Sequence, residues 1–246
     1  MSAVTQAVLL AAGRGTRLGA LTDAFPKAML EVGDQPIIHR IIGGLAEAGV
    51  TDLAIVTGHC AEVLEAGTGH GDRWGVRIRY VRQSTPEGTA RALSLARPTL
   101  GSGPFFVGWG DILVEPANYA KVLDAAKDAA AVLAVNEVDD PYAGGAVYAD
   151  ANWRVSRIIE KPPRGTSTTH LNNAGLFVLP DSIWPFVEGL QPSTRGEFEL
   201  PQAIAVFVAA GNLMTAVPIT GPWFDVGTRE NLAAARHYFA PTPPPA

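Results

Sequence analysis

The chain has little cysteine, little charge and no long hydrophobic run. Its single cysteine, Cys60, excludes an internal disulfide and fits a reducing compartment, so we expect a cytoplasmic protein. No segment approaches the roughly 20 apolar residues that a membrane-spanning helix needs. Residues 1–12 lack the basic start and the cleavage pattern of a secretory signal peptide. We therefore expect no leader and no membrane association.

Charged residues make up 17% of the chain, and the formal net charge is −5. An acidic chain without a basic stripe is not typical of proteins that bind nucleic acid or anionic lipid. Apolar residues account for 47% of the 246 residues, which is enough for a sizeable core and argues against disorder. Any site for an anionic substrate must therefore be a local cluster of cations.

Apolar segments alternate with helical patterns over the first half of the chain, which predicts β-α-β units and a largely parallel sheet. Strands are expected over residues 4–10, 53–57, 76–82, 105–109 and 131–135, and helices over residues 36–48, 61–66, 89–96 and 116–129. After residue 140, short strands (146–148, 155–159 and 176–179) predict a small strand-rich lid over one side of the pocket. Helices are expected again over residues 198–210 and 228–238, and the proline-rich residues 241–246 are expected to be disordered.

The first predicted strand runs into a loop with two glycines and two arginines: Gly13, Arg14, Gly15 and Arg17. Glycines let backbone N–H groups approach a ligand, and such groups form an anion-binding nest. The arginines add forked donors and fixed positive charge. Lys27, which follows Pro26, adds a compact cation. Together these residues predict a site for a polyphosphate.

This segment resembles the signature of the sugar-nucleotide pyrophosphorylases, nucleotidyltransferases that join a sugar 1-phosphate to a nucleoside triphosphate. Their pattern is approximately L-A-A-G-x-G-T-R-L followed by P-K, and the chain has LAAGRGTRL at residues 10–18 and PK at residues 26–27. It departs from the family at Ala20, Ala28 and Met29, which are packing residues rather than charged ones. The resemblance extends over about residues 4–239 and implies a Rossmann-like, GT-A-like α/β fold. Such a fold has a mixed, mainly parallel sheet flanked by helices.

The resemblance also implies which residues bind the nucleotide. Arg17 is expected to hold the β- and γ-phosphates, with Arg14 as a weaker second, and Lys27 to stabilise charge at the α-phosphate. Residues 83–90, QSTPEGTA, are similar to the family's base-recognition block, and a glutamine amide can hydrogen-bond a pyrimidine edge. The nucleotide-binding residues expected are Leu10, Ala12, Gly13, Arg14, Gly15, Thr16, Gln83, Gly88 and Thr89.

Two aspartates, Asp111 and Asp225, are each expected at the end of a strand. Ligands of open α/β sheets bind at the carboxyl ends of the strands. Mg²⁺ takes one or two carboxylate oxygens and completes its octahedron with water and phosphate. The resemblance implies that these two aspartates bind the catalytic Mg²⁺. The catalytic residues expected are Arg17, Lys27, Asp111 and Lys161.

The tripeptide Glu160-Lys161-Pro162 matches the family's E-K-P, in which the glutamate contacts sugar hydroxyls and the lysine holds the sugar phosphate. Gly145 and Asn173 correspond to family positions that contact the sugar. Glu197 and Glu199 lie where the family begins a late helix, and helix capping is the main expectation for them. The sugar-binding residues expected are Gly145, Glu160, Lys161 and Asn173.

We therefore expect one nucleotidyltransferase domain over residues 1–240, with a nucleotide-binding half (about residues 1–135) and a sugar-binding half (about residues 140–227). The expected reaction is Mg²⁺-dependent in-line attack of a sugar 1-phosphate on the α-phosphate of a nucleoside triphosphate, with UTP or dTTP favoured. The products are a nucleoside diphosphate sugar and pyrophosphate. The expected partners are these two substrates, without nucleic acid or membrane. The sugar and the oligomeric state, a homo-oligomer included, stay open.

Three other hypotheses fit parts of the sequence. A regulatory homologue would bind a nucleotide sugar without making it, but the charged residues of the catalytic set are all present. A dinucleotide-dependent dehydrogenase would also have a glycine loop after a strand, but Leu18 occupies the third glycine position of G-x-G-x-x-G. A cytidylyltransferase would catalyse the same nucleotidyl transfer but with phosphocholine or another non-sugar phosphate as the acceptor. The sugar-type residues Glu160, Lys161 and Asn173 argue against it.

Overall fold

The structure, a computed structural model, describes residues 3–240. The expected disordered tail, residues 241–246, lies outside these residues. The strands are β1 (Gln6–Leu10), β2 (Glu31–Val32), β3 (Gln35–Pro36), β4 (Asp52–Thr57), β5 (Arg77–Arg82), β6 (Phe105–Trp109), β7 (Ile112–Val114), β8 (Val132–Glu137), β9 (Gly145–Ala149), β10 (Val155–Glu160), β11 (Leu171–Leu179), β12 (Thr215–Pro218) and β13 (Trp223–Asp225). The helices are α1 (Ile37–Glu47), α2 (Ala61–Thr68), α3 (Thr89–Ala96), α4 (Ala117–Ala125), α5 (Trp184–Glu188), α6 (Leu200–Ala209) and α7 (Arg229–Tyr238).

Four neighbouring strands of the main sheet, β5, β4, β1 and β6, are parallel. Helices α1, α2 and α3 lie between them in the sequence, as the alternating pattern predicts. The sheet continues as β11, β9 and β10 through antiparallel pairs. On its other side β11 pairs with β8, which in turn pairs in parallel with β12. The predicted fold class, a mixed sheet flanked by helices, is confirmed, and the strands expected in the lid belong to this sheet.

Both faces of the sheet are covered, because the central strands are apolar at nearly every position. On β1, Leu9 packs toward α1 and α4, whereas Val8 and Leu10 pack toward α3 and α6. Side chains alternate between the faces of a strand, so consecutive apolar residues supply two separate cores. None of the helices within residues 3–240 combines the length and the apolar character that crossing a bilayer requires.

The topology brings the expected site residues to one edge. The parallel strands β1 and β6 end side by side, and the N–H of Gly110 donates to the carbonyl of Leu10 at 2.9 Å. The short strands β7 and β13 pair in antiparallel fashion, so Asp225 lies opposite Ile112. The N–H of Val226 donates to the carbonyl of Asp111 at 3.0 Å. This ribbon places two aspartates far apart in the sequence next to each other.

Candidate functional site

Two adjoining cavities open at this edge of the sheet. The first cavity measures about 360 Å³ and the second about 740 Å³. Five residues line both: Thr89, Trp109, Asp111, Glu197 and Glu199. Two ligands bound in these cavities would therefore meet beside Asp111.

The first cavity contains most of the residues expected to bind a nucleotide. It is lined by Leu10, Ala12, Gly13, Arg14, Gly15, Lys27, Gln83, Gly88 and Thr89. Thr16 lines neither cavity and begins the 3-10 helix Thr16–Thr22. Arg17 lines the second cavity rather than the first. The loop thus divides its two arginines between the cavities, a separation that sequence spacing does not reveal.

Gly15 holds the loop close to Lys27. Its φ is +68°, and a Cβ at this position would lie 3.2 Å from Cβ of Lys27 and 3.1 Å from Cγ2 of Thr22. The hydroxyl of Thr22 donates to the carbonyl of Gly15 at 3.0 Å and fastens the loop. Glycine is required here both for the left-handed backbone and for the close approach.

Charges of both signs converge at the junction of the cavities. Lys27 Nζ forms an ion pair with Asp111 Oδ2, and both side chains are largely buried. Burial and the negative charge of Asp111 raise the pKa of Asp225, while Lys27, Arg17 and Lys161 act in the opposite direction. Nη2 of Arg17 and Oδ1 of Asp225 both lie within 3 Å of the position that a Cβ at Gly227 would take. Asp225 therefore lies among one carboxylate, Asp111, and three cations, while Glu197 and Glu199 add negative charge where the cavities meet.

The two aspartates fit a hard divalent cation. Burial and, after it, the negative charge of Asp111 raise the pKa of Asp225, and a cation between the two carboxylates would relieve their repulsion. Within residues 3–240, no group of three or more His, Cys, Asp and Glu side chains is placed to enclose a metal ion. A pair of carboxylates suits Mg²⁺, which draws its remaining ligands from water and substrate phosphate.

The second cavity contains the four residues expected to bind the sugar: Gly145, Glu160, Lys161 and Asn173. A Cβ at Gly145 would lie 3.2 Å from Oε2 of Glu160 and 3.2 Å from Cβ of Asn173. Glycine at this position therefore leaves room for both side chains in the second cavity. Burial raises the pKa of Glu160 to about 7, with Glu199 adding to the rise while Lys161 and Arg195 oppose it. Near neutral pH this side chain can therefore both donate and accept hydrogen bonds.

Glu197 and Glu199 are site residues for which the sequence predicted capping. Glu199 occupies the N-cap position of α6, but its side chain makes no capping hydrogen bond there. It is buried and pairs with Arg195 instead. The N–H of Leu200 is satisfied by Oγ1 of Thr89 at 2.8 Å. The capping prediction is therefore wrong for Glu199, because a hydroxyl from a distant helix supplies the cap and leaves the carboxylate on the cavities.

The segment 193–200 is fastened to the loop expected to recognise the base. The N–H of Phe198 donates to the carbonyl of Glu87, and the N–H of Ala90 donates to the carbonyl of Phe198, both at 2.8 Å. Gly88, at φ +105°, lies so close to Phe198 that a Cβ would be 2.5 Å from its carbonyl oxygen. Nε2 of Gln83 donates to the carbonyl of Gly88 at 3.3 Å. The base-side loop and the segment with Glu197 and Glu199 thus form one hydrogen-bonded unit.

Two tryptophans that the sequence prediction omitted form walls of the second cavity. The ring of Trp109 covers Gly175, where a Cβ would overlap it, and packs edge-on against Phe177. Nε1 of Trp223 donates to the carbonyl of Ala174 at 3.0 Å. Both indoles contact β11 at residues 174–175, within the stretch where its pairing register with β8 shifts, and these contacts fix the aromatic walls of the cavity. Trp109 directly precedes Gly110-Asp111, so its place in the sequence beside an expected metal ligand was the available signal.

Comparisons with known proteins give a consistent result. The family model described as nucleotidyl transferase matches residues 6–240. A low-salt glycan biosynthesis nucleotidyltransferase from Haloferax volcanii is 31% identical over 93% of this chain, which spans 64% of that protein's length. A glucose-1-phosphate thymidylyltransferase from Xanthomonas campestris is 31% identical over 94% of this chain and 79% of its own length.

A solved structure from Bacillus anthracis, provisionally described as a glucose-1-phosphate thymidylyltransferase and bound to sucrose, has the same fold. Its TM-score is 0.86 at 25% identity, and the match covers 97% of this chain and 96% of that one.

Proposed function

The chain belongs to the nucleotidyl transferase family, and from that premise we propose that it transfers a nucleotidyl group from a nucleoside triphosphate to a sugar 1-phosphate. The products are a nucleoside diphosphate sugar and pyrophosphate. We propose UTP or dTTP as the nucleotide, because Gln83 and Gly88 offer an amide and a close backbone approach to a pyrimidine. The related thymidylyltransferases support this choice of nucleotide.

One observation supports the proposal more than any other: the two cavities meet at Asp111, and each contributes its own cations, Arg14 and Lys27 in the first and Arg17 and Lys161 in the second. The nucleotide would occupy the first cavity and the sugar 1-phosphate the second. Their reacting groups, an α-phosphate and a sugar phosphate, would then lie together between Lys27 and Lys161. Positioning two reactants in this way can supply a large part of the rate enhancement.

The chemistry requires little proton transfer, because the attacking sugar phosphate oxygen is already an anion. The protein must instead hold two anions together against their repulsion. Lys161 would bind the incoming sugar phosphate, and Lys27 would stabilise the charge that grows at the α-phosphate. Arg14 from the first cavity and Arg17 from the second would hold the β- and γ-phosphates. Glu160 and Asn173 would orient the sugar ring.

Asp111 and Asp225 are the residues that would hold Mg²⁺. When bound, this ion would neutralise phosphate charge and act as a Lewis acid at the phosphate oxygens. Lys27, which pairs with Asp111 in the structure, would then be released to the nucleotide.

Pyrophosphate release from a matrix of nucleoside triphosphates and sugar 1-phosphates tests this proposal. We expect turnover with UTP or dTTP and Mg²⁺, and a loss of at least about 100-fold in Arg17→Ala and Asp111→Asn. The first variant removes a cation that would bind phosphate charge, and the second removes a carboxylate that would hold Mg²⁺. The exposed Arg154→Ala and Asp128→Asn are matched controls and should retain wild-type rates. Wild-type rates in both site variants, or no turnover with any substrate pair, would refute the proposed activity.

A further inference from the structure

Lys161 lies at the start of a loop, residues 161–170, that connects β10 to β11. Its φ is +44°, a left-handed conformation that non-glycine residues adopt at a cost. The surrounding structure must therefore hold the loop in place. The N–H of Lys161 donates to the carbonyl of Gly144 at 2.7 Å, and this hydrogen bond fixes the first residue of the loop.

The far end of the loop is fastened to the same neighbouring segment, residues 138–144. The N–H of Val138 donates to the carbonyl of His170 at 2.9 Å. Nδ1 of His170 lies 3.0 Å from the carbonyl oxygen of Asp139. Both ends of the Lys161 loop are thus attached to one backbone segment.

Asp140 supplies the attachment in the middle of the loop. Its Oδ2 accepts a hydrogen bond from the N–H of Gly165 at 2.8 Å. Gly165 has φ +73° and lies in a turn closed by the N–H of Thr166, which donates to the carbonyl of Pro163 at 3.2 Å. A charged acceptor on a backbone N–H is a strong hydrogen bond. This contact therefore sets how far the turn can move away from the second cavity, which Asp140 also lines.

The other carboxylate oxygen of Asp140 lowers the stability of the folded protein. Oδ1 is buried and has no hydrogen-bond partner among the described residues. A buried polar atom without a partner destabilises the fold and calls for an explanation. An apolar side chain would leave no unpaired polar atom at this position, so a role in the site accounts for the carboxylate better than stability does.

We propose that Asp140 is a positioning residue for Lys161: its carboxylate fastens the turn at Gly165 and thereby holds the Lys161 ammonium at the sugar phosphate. The inference rests on the proposed function, because Lys161 is given its ligand there. Asp140 acts through Lys161 and makes no contact of its own with the phosphate, which its negative charge would repel.

Calorimetric binding of α-D-glucose 1-phosphate and N-acetyl-α-D-glucosamine 1-phosphate tests this role without requiring turnover. Asp140→Ala should weaken binding of the better ligand roughly tenfold, the order expected for one lost charged hydrogen bond. Asp140→Asn keeps an oxygen for Gly165 and should stay within about threefold of wild type. Asp139→Ala removes the exposed neighbouring carboxylate and should change binding less than about twofold. Binding of UTP should be unchanged in all three variants.

A double-mutant cycle with Lys161→Ala separates positioning from a general structural effect. In the Lys161→Ala background, Asp140→Ala should weaken binding by less than about twofold, since the group that it positions is gone. The inference would be overturned if Asp140→Ala weakened sugar phosphate binding equally in both backgrounds or left it unchanged. It would also be overturned if UTP binding weakened in parallel, or if the wild type bound neither sugar phosphate. If the two mutations are coupled in binding but the wild type releases no pyrophosphate, the proposed function alone is refuted. If the wild type turns over but the two mutations are not coupled, this inference alone is refuted.

Discussion

The partly buried carboxyl of Glu160 makes the stability of the protein depend on pH. Its pKa is raised from an ordinary value of 4.5 to about 7, chiefly by burial. Between these two values the folded protein keeps a proton on Glu160 that the unfolded chain has lost. Because the native state binds more protons, the free energy of unfolding falls as the pH rises through this window.

The magnitude follows from the size of the shift. One pKa unit corresponds to about 1.4 kcal/mol, so Glu160 should contribute a loss of about 2 to 3 kcal/mol between pH 5 and pH 8. Glu160→Gln has a neutral side chain of nearly the same shape at every pH. Relative to wild type, its free energy of unfolding should therefore increase by about 2 to 3 kcal/mol from pH 5 to pH 8.

Urea unfolding at pH 5, 6, 7 and 8 measures this difference. A change of this size shifts the midpoint by about 1 M urea for m-values of 2–3 kcal/mol/M. Glu47→Gln, an exposed glutamate at the end of α1, is the matched control and should follow wild type at each pH. If the curves for wild type and Glu160→Gln stay parallel across this range, burial does not perturb Glu160 and the reasoning fails.

Two further predictions concern the aspartate pair and the base-side loop. Asp225→Asn should raise the thermal stability of the ligand-free protein, because it removes a buried charge that Asp111 repels, and should reduce pyrophosphate release at least about 100-fold. The exposed Asp128→Asn should change neither, and a less stable Asp225→Asn would contradict the electrostatic argument. Gly88→Ala places a Cβ 2.5 Å from the carbonyl oxygen of Phe198 and should raise the KM for the nucleoside triphosphate about tenfold or more. Gly49→Ala is the control for backbone strain, because Gly49 has a similar positive φ and no atom lies within 4 Å of the position of its Cβ. Equal KM values in the two variants would show that the clash with Phe198 does not affect nucleotide binding.

The parts of the fold that local sequence determines were predictable. Strand β1 was expected over residues 4–10 and runs from Gln6–Leu10, because an apolar run ending in glycines is a local signal. Helix α3 was expected over residues 89–96 and spans Thr89–Ala96. The carboxyl ends of β1 and β6 lie at one edge by the geometry of parallel strands. This geometry brought the glycine loop and Asp111 together without any further information.

The parts that depend on distant partners were not predictable. Strand β11 was expected over residues 176–179 but begins at Leu171. Asn172 and Asn173 lie outside the expected range, yet both are buried in this strand. Nδ2 of Asn172 donates to Oδ1 of Asn136 at 2.9 Å, and Oδ1 of Asn173 accepts from the N–H of Gly175 at 2.9 Å. Buried asparagines are tolerated in a strand when other residues satisfy them, and the sequence does not identify those residues.

The same limit applies within the candidate site. The charged residues were identifiable because the resemblance assigns them by position, but their roles there remain predictions. The place of Arg17 on the second cavity and the exclusion of Thr16 depend on how the 3-10 helix turns after Gly15. The site position of Glu199 depends on Thr89, which lies more than 100 residues away in the sequence.

The hydrogen bonds that fasten Phe198 to Glu87 and Ala90 have a consequence for redesign. A substitution that widens the pocket for a larger base has to move the loop at Gly88, and Phe198 moves with it. Glu197 and Glu199, on either side of Phe198, face the other cavity as well. Under the proposed function, a library built to change the nucleotide alone would therefore also alter the choice of sugar phosphate, so selection should vary both substrates at once.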